Sequence, residues 1–374
     1  MHLLYFHSST LQSYVDMGKI RYLDALNPNG MFSSVDMVNL DFDAVSDAVQ
    51  EEGVFRFTAL GLRGRGLGRV GKLRAYRDAL RRLSCEKRPA LVMGDDANLL
   101  GLAARCVSRK VASPYAVNIY YDNDLHHRLT GKPALAFLRS RHLEALMERV
   151  VLTGAKGVYA GSRGYLDFGL RHGARPERAY LGSWSVDDVF YQDPPPPHPD
   201  SREILFVGRL HSLKYIDDLL AAIATLPSHV RLDVAGEGED RGRLEGLNKR
   251  LALNGRVRFL GLISREELRA RMNGARLLLA TQGVNAVVEC LLSGRPVVAY
   301  DHECNAEFVR HGETGWLVPF RDVPRLVDAI AGILKNPTAS QERGRVARKK
   351  MMEECGIGSS LDHRRQFILN CMKN

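Results

Sequence analysis

The sequence predicts an α/β protein built from two doubly wound, Rossmann-like domains. Three observations carry that expectation. Short apolar runs alternate with longer segments whose apolar residues fall at helical spacing, the rhythm of βαβ units around a parallel sheet. Asp193, four consecutive prolines, His198 and Pro199 then interrupt the rhythm. Beyond that run the same alternation starts again.

In the first part, residues 3–6, 37–40, 54–57, 90–93, 115–120, 157–160 and 179–182 read as strands, and 72–83 and 134–152 as helices. Proline cannot continue a helix or a central strand, and a proline run stiffens a connector. The expected division is therefore an N-terminal domain 1–192, a linker 193–201 and a second domain 202–356. In that second domain, residues 204–207, 231–235, 257–260, 277–280, 296–300 and 315–318 read as strands. The amphipathic, basic stretch 359–372 predicts a closing helix within 357–374, expected to cross back to the first domain. No internal repeat relates the two halves.

With 374 residues, each half is large enough to bury its own core. An apolar fraction of 45% and a charged fraction of 26% exclude a disordered or fibrous chain. The net charge of +10 points to an anionic partner: a phosphorylated substrate, a membrane surface or nucleic acid. A generally basic protein without such a partner is the competing reading. The six cysteines (Cys85, Cys106, Cys290, Cys304, Cys355 and Cys371) form no C-x-x-C pair and no Cys/His cluster at zinc spacing. Free thiols, no metal and a cytoplasmic setting are expected. The start MHLLYFHSST has no basic leader, and no run approaches the roughly 18 apolar residues of a membrane span. Membrane contact is thus expected to be peripheral at most.

The segment ILFVGRLHSLK at 204–214 is the most informative. A buried strand leads to Gly208, which frees the turn, and Arg209 and Lys214 follow on one short loop before a helical stretch. Two fixed cations at the mouth of a strand–loop–helix unit suit a diphosphate, and an arginine can grip two oxygens at once. A second such unit spans 277–292: a strand, a turn centred on Gly283, and a helix from Ala286 to about Ser293 stopped by Gly294. A helix opening straight after a glycine turn directs free N–H groups at an anion. Glu289, one turn in, can accept from the two hydroxyls of a ribose. A capping or salt-bridging glutamate is the other reading.

Residues 202–334 resemble the donor-binding domain of the retaining GT-B glycosyltransferases. The pieces VGRLHSLKYIDDLL, RLDVAGEGEDRGRLEGL, VRFLGLISREELRARMNGARLLLA, VVECLLSGRPVVAYD and NAEFVRHGETGWLVPF occur in the family's order. The resemblance implies two Rossmann-like domains facing a cleft and a metal-independent hexosyl transfer with retention from a nucleotide-diphosphate sugar, UDP- or GDP-linked. Arg209 and Lys214 would hold the diphosphate, with Gly208 at the turn. Glu289 would hold the ribose. Gly283, Val284 and Asn285 would meet phosphate and sugar, and Gly261 to Ile263 would lie beside the base. No separate cofactor is implied.

One position departs. Many members carry two glutamates eight residues apart, the first near the donor sugar's hydroxyls; here the first is Thr281. A hydroxyl keeps one hydrogen bond but loses the charge and the second acceptor. Three readings follow: an unusual donor sugar, a sugar held by Gln282 and Asn285 instead, or a degenerate site.

The first domain matches less fully. At the end of the strand AVNIY, where the family often places a histidine, this chain has Tyr120, Tyr121 and Asp122. Asp122 or Asp124 can orient an acceptor hydroxyl, or equally cap the next helix. His126 and His127 read as a solvated pair. The most basic stretch, 63–82, contains G-x-G-x-x-G at Gly66, Gly68 and Gly71, a weak match in a chain with 34 glycines. Arg63, Arg65 and Arg69 are candidates to contact a phosphorylated or lipid-linked acceptor or anionic headgroups; a solvated basic loop is the alternative. Nucleic acid is disfavoured, because no aromatics on a recognisable binding module accompany the charges. The resemblance implies glycan or lipid-linked acceptors in cell-surface polysaccharide, lipopolysaccharide or glycolipid assembly. A GT-B epimerase or phosphorylase and a non-catalytic sugar-nucleotide or glycan-binding protein are the alternatives.

Overall fold

A computed structural model describes residues 1–16, 23–41, 47–62, 68–83, 87–184, 186, 188–196 and 198–373. The chain divides into two compact units. Met1–Trp184 with Gly358–Asn374 forms unit 1, and Ser185–Ile357 forms unit 2.

Unit 1 contains β1 (His2–Phe6), α1 (Leu11–Asp16), α2 (Leu23–Leu26), β2 (Ser34–Asp41), β3 (Ala48–Glu52), β4 (Phe55–Gly61), α3 (Arg69–Arg82), β5 (Leu91–Asp95), α4 (Leu99–Val111), β6 (Tyr115–Ile119), α5 (Asn123–Thr130), α6 (Arg141–Thr153), β7 (Gly157–Ala160), α7 (Arg163–Arg171) and β8 (Ala179–Leu181). The sheet order is β3-β4-β2-β1-β5-β6-β7-β8. The β1, β5, β6 and β7 residues are all buried, as parallel strands covered on both faces must be, and this is why they were legible as apolar runs.

β3 was not foreseen. It pairs antiparallel with β4 at the sheet edge, and all five of its residues are exposed. An edge strand with two glutamates carries no apolar signal, and its charges guard the open edge. The expected helix at 134–152 starts later, at Arg141. A short 3₁₀ turn (Ala136–Leu138) and Arg139 at φ 51° precede it, and the Ser140 hydroxyl caps it by accepting from Leu143 N–H.

Unit 2 contains β9 (Ile204–Val207), α8 (Ile216–Thr225), β10 (Leu232–Ala235), α9 (Arg241–Arg250), β11 (Val257–Gly261), α10 (Arg265–Gly274), β12 (Leu277–Leu279), α11 (Val284–Leu292), β13 (Val297–Asp301), α12 (Asn305–Phe308), β14 (Trp316–Pro319), α13 (Val323–Lys335) and α14 (Pro337–Glu354). Its strands run β11-β10-β9-β12-β13-β14, every pair parallel. Within the unit this is the doubly wound order 3-2-1-4-5-6. Ile204, Phe206, Leu219, Leu232, Leu279 and Ile330 are core residues at 1% exposure or less. Each such side chain contributes roughly 1.5–3 kcal/mol by leaving water.

The division falls at Trp184–Ser185, ahead of the expected boundary at 192. The Arg348 guanidinium donates to the carbonyls of Phe190, Tyr191 and Gln192, and so ties this segment to unit 2. The last helix, α15 (Ile357–Met372), belongs to unit 1 from Gly358 onward. Its Phe367 ring lies 5.1 Å from Tyr159 and 5.2 Å from Tyr180. Among the described residues, no helix is long and apolar enough to cross a membrane.

Candidate functional site

In an open α/β sheet, ligands settle outside the carboxyl ends of the strands where the strand order reverses. In unit 2 that point lies between β9 and β12, which pair directly. The loops leaving these two strands carry Arg209 and Lys214, and Thr281, Gln282 and Gly283.

Two hydrogen bonds stitch those loops together. The Thr281 hydroxyl donates to the Lys214 carbonyl at 2.6 Å, and the Lys214 ammonium donates to the Gln282 carbonyl at 2.9 Å. Lys214 closes a 3₁₀ turn (Ser212–Lys214) whose first N–H bonds are organised by His211 Nδ1, which accepts from Leu213 N–H at 3.1 Å. Tyr215 then takes a left-handed φ of 50° to enter α8. Gly283 has φ 101°, and a Cβ there would sit 2.6 Å from Lys214 Nζ. Glycine is therefore required twice, for its backbone conformation and for the approach of the ammonium. On the other side of β9, a Cβ on Gly236 would overlap the Gly208 carbonyl, so the end of β10 also closes tightly on this loop.

The charges at this point are of both signs. Desolvation lowers the Lys214 ammonium below the ordinary lysine pKa, and the neighbouring Arg209 charge adds to the effect. Glu303 opposes it. Arg209 is largely exposed and pairs with Glu239 at 3.2 Å. Gly261 ends β11 with φ 74°, and its carbonyl accepts from Gly236 N–H at 2.9 Å. Next to it Leu262 is 76% exposed and Ile263 is half-buried, a free apolar ledge on the same side of the sheet.

Two sequence candidates are placed differently from expectation. Thr281 is 2% exposed and its hydroxyl is committed to the backbone, so it braces Lys214 rather than facing a ligand. Glu289 is 5% exposed and its carboxylate meets Arg265 Nη2 at 3.0 Å, an ion pair the sequence did not reveal. Val284 is buried and Asn285 exposed at the first turn of α11. Gln282 is nearly buried, and its side-chain amide donates to Glu303 at 2.5 Å.

In unit 1 the reversal lies between β1 and β5. There Asp95 accepts from the Tyr5 hydroxyl at 2.6 Å and lies 3.3 Å from His7 Nε2. Asp96, at φ 56°, accepts from Tyr120 N–H at 2.8 Å. Desolvation, aided by the Asp95 charge, pushes its carboxyl up to about 7. The string GDD at 94–96 was the only sequence signal for this pair. Tyr120 packs edge-on against Trp184 at 5.9 Å. Tyr121 contacts His126 Nδ1 through its hydroxyl at 2.6 Å, so His126 is half-buried and engaged rather than solvated.

Asp122 is the N-cap of α5, accepting from Leu125 N–H at 2.9 Å, and pairs with Arg171 at 3.0 Å. Asp124 is held by Arg141 at 2.7 Å and His172 at 2.8 Å, beside the buried Glu148. Both carboxylates thus have structural partners. Gly68 caps α3 and Gly71 lies within it. Arg63, Arg65, Gly66 and Cys85, and the Arg69 side chain, lie outside the described residues. The other five cysteines are free thiols. Among the described residues, no group of three or more His, Cys, Asp or Glu is placed to hold a metal ion.

Two Rossmann-like units with a cationic loop at the second unit's strand-order reversal are what the GT-B class would present. Comparison with known proteins agrees. Residues 190–350 match the family described as glycosyl transferases group 1, and residues 25–182 the glycosyl transferase 4-like domain. The chain belongs to the GT-B-fold glycosyltransferases related to these families. Mycobacterium tuberculosis glycogen synthase is 29% identical over 165 residues, covering 42% of this chain and 40% of the relative. D-inositol 3-phosphate glycosyltransferase from Mycolicibacterium paratuberculosis is 35% identical over 147 residues, covering 37% and 33%. The lipopolysaccharide core biosynthesis glycosyltransferase LpsE of Rhizobium meliloti is 30% identical over 152 residues, covering 39% and 44%. The match to these curated relatives thus spans less than half of their lengths. Among solved structures, sucrose-phosphate synthase from Thermosynechococcus elongatus superposes with a TM-score of 0.80 at 20% identity, covering 98% of both chains. Anabaena HepE, solved with UDP and glucose, gives 0.76 at 15% identity over 99% of both. At such identities the likeness establishes the fold.

Proposed function

We propose that this protein transfers a hexose from a nucleotide-diphosphate sugar to an acceptor hydroxyl, with retention of anomeric configuration. The observation that carries the reading is Lys214. Its ammonium is partly desolvated at the strand-order reversal, is fixed to the Gln282 carbonyl, and lies against a glycine that leaves room for it. With Arg209 it offers two positive charges where a diphosphate departs. Fixed charges in a poorly solvated site stabilise a leaving group without reorganising, the work a divalent cation does elsewhere. The reading therefore needs no metal.

The ribose falls to Glu289, with Arg265 as its positioning partner, and the base to the ledge at Gly261 and Ile263. The acceptor falls to unit 1, where Tyr120, Tyr121, Asp122 and Asp124 follow β6, and on sequence grounds alone Arg63, Arg65 and Arg69 are the candidates for an anionic acceptor or headgroup. The names of the curated relatives, a lipopolysaccharide core enzyme among them, favour surface polysaccharide, lipopolysaccharide or glycolipid assembly. One observation favours a second reading, a sugar-nucleotide-binding protein without turnover: the Thr281 hydroxyl is unavailable to the sugar.

A thermal-shift screen with UDP-, GDP-, ADP- and TDP-linked hexoses tests the donor. A ligand at a hundred times its Kd stabilises by about 2.7 kcal/mol, so the correct nucleotide raises Tm by several degrees. Nucleoside diphosphate release that requires an added acceptor then establishes transfer, whereas binding without turnover across an acceptor panel favours the second reading. No shift with any of the four nucleotides removes the donor site.

A further inference from the structure

Beside Lys214, the site in unit 2 holds a carboxylate, Glu303, that the sequence did not single out. Glu303 lies just past the carboxyl end of β13, on the turn that leads into α12. β13 pairs with β12, so this turn stands beside the loop that carries Gln282 and Gly283. The Gln282 amide donates to Glu303 Oε1 at 2.5 Å, while the Gln282 carbonyl receives the Lys214 ammonium. A single residue therefore spaces the carboxylate from the cation.

The turn is held from both ends. The buried Asn305 side chain donates to the Thr281 and Tyr300 carbonyls, each at 3.0 Å, and so locks the turn to the neighbouring loop. Before it, the His302 ring stacks on Phe320 at 4.0 Å, and Tyr215 meets Phe320 edge-on at 4.9 Å. Within this rigid frame Glu303 itself adopts φ 51°. A left-handed backbone at a charged, non-glycine residue persists only where its surroundings over-determine it, and such residues gather at ligand sites.

The chemistry of a carboxylate narrows what it can meet. It accepts hydrogen bonds and donates none, so it suits a group rich in hydroxyls. A phosphate next to it would be repelled. Lys214 and Arg209 attract the diphosphate; the charge of the half-buried Glu303, which acts on Lys214, suits the neutral, hydroxyl-bearing part of the same molecule. Thr281 is not a rival, because its hydroxyl is consumed by the Lys214 carbonyl.

We infer that Glu303, oriented by Gln282, recognises the hydroxyl groups of the donor's sugar. The inference rests on the donor reading above. It makes Glu303 a specificity residue contributed by the strand next to the one where Thr281 stands, and it gives this site its preference for a polyhydroxylated, uncharged sugar.

The test separates sugar from nucleotide. Calorimetry would measure UDP, GDP, ADP and TDP and their glucose, galactose, mannose and N-acetylglucosamine conjugates against wild type, Glu303→Gln and Glu303→Ala, with Tm recorded for each. Glu303→Gln keeps the shape and an acceptor for Gln282. We expect both variants to bind the preferred nucleoside diphosphate at least as tightly as wild type, because a repelling charge beside Lys214 is gone, and to lose roughly tenfold or more of the affinity that the sugar adds, the scale of a lost hydrogen bond to a charged group. An unchanged sugar increment in both variants overturns the inference. So does a parallel fall for diphosphate and sugar nucleotide alike, which a merely structural role would produce. If wild type binds none of these ligands, the donor reading fails first and takes this inference with it.

Discussion

The Lys214 ammonium donates to the Gln282 carbonyl at 2.9 Å, bridging the loops that leave β9 and β12. That contact fixes where the positive charge stands. Thr281, one residue earlier, returns a bond to the Lys214 carbonyl. The residue is therefore held through its backbone and through its tip. A charge fixed in this way loses little entropy when a diphosphate arrives.

Replacing Lys214 by Ala should lower turnover at least roughly tenfold, since a lost charge contact to a leaving group is worth that much or more. The Thr281 bond to the Lys214 carbonyl survives the change, so the fold should persist. Steady-state kinetics together with circular dichroism check both halves. Wild-type turnover in a folded variant would remove the diphosphate clamp.

Gly283→Ala tests the glycine at the same point. At φ 101° the new side chain is strained, and its Cβ would press on Lys214 Nζ. A strained backbone conformation costs on the order of 1–3 kcal/mol. Urea unfolding should show a loss of that size, and the affinity for nucleoside diphosphate should fall with it because the ammonium must move. A variant as stable and as tight-binding as wild type would contradict the geometry.

Asp96 gives a pH dependence in unit 1. Burial raises its carboxyl to about 7 in the folded chain, against roughly 3.9 for an ordinary aspartate. The folded state thus holds the proton more tightly than the unfolded state. Its contribution to stability is full below about pH 4, falls as pH rises toward 7, and then levels off. Asp96→Asn keeps an acceptor for Tyr120 N–H and removes the titration. Urea midpoints measured from pH 4 to pH 8 should show wild type losing ground to the variant across that window. A constant difference would mean that Asp96 titrates normally.

The sequence by itself determined the two doubly wound units, because strands buried on both faces must be written as apolar runs. Ile204, Phe206, Leu277 and Leu279 show it, each at 1% exposure or less. Arg209, Lys214 and Gly283 were legible for a related reason: a cation after a buried strand and a glycine before a helix are local requirements, visible within ten residues. The edge strand β3 was not legible, since exposed glutamates carry no periodic signal.

Only the tertiary structure decided the partners. Parallel pairing of β12 with β9 and β13 brings Thr281 to the Lys214 carbonyl and Gln282 to Glu303, across separations of 67 and 21 residues. Tertiary packing also sets Arg265 of α10 on Glu289 of α11, an ion pair between residues 24 apart in the chain. Hydrogen bonds and charges act over a few ångströms in space whatever the distance along the chain. Which polar groups consume one another, and which remain for a ligand, is therefore settled by the packing of strands and not by the order of residues.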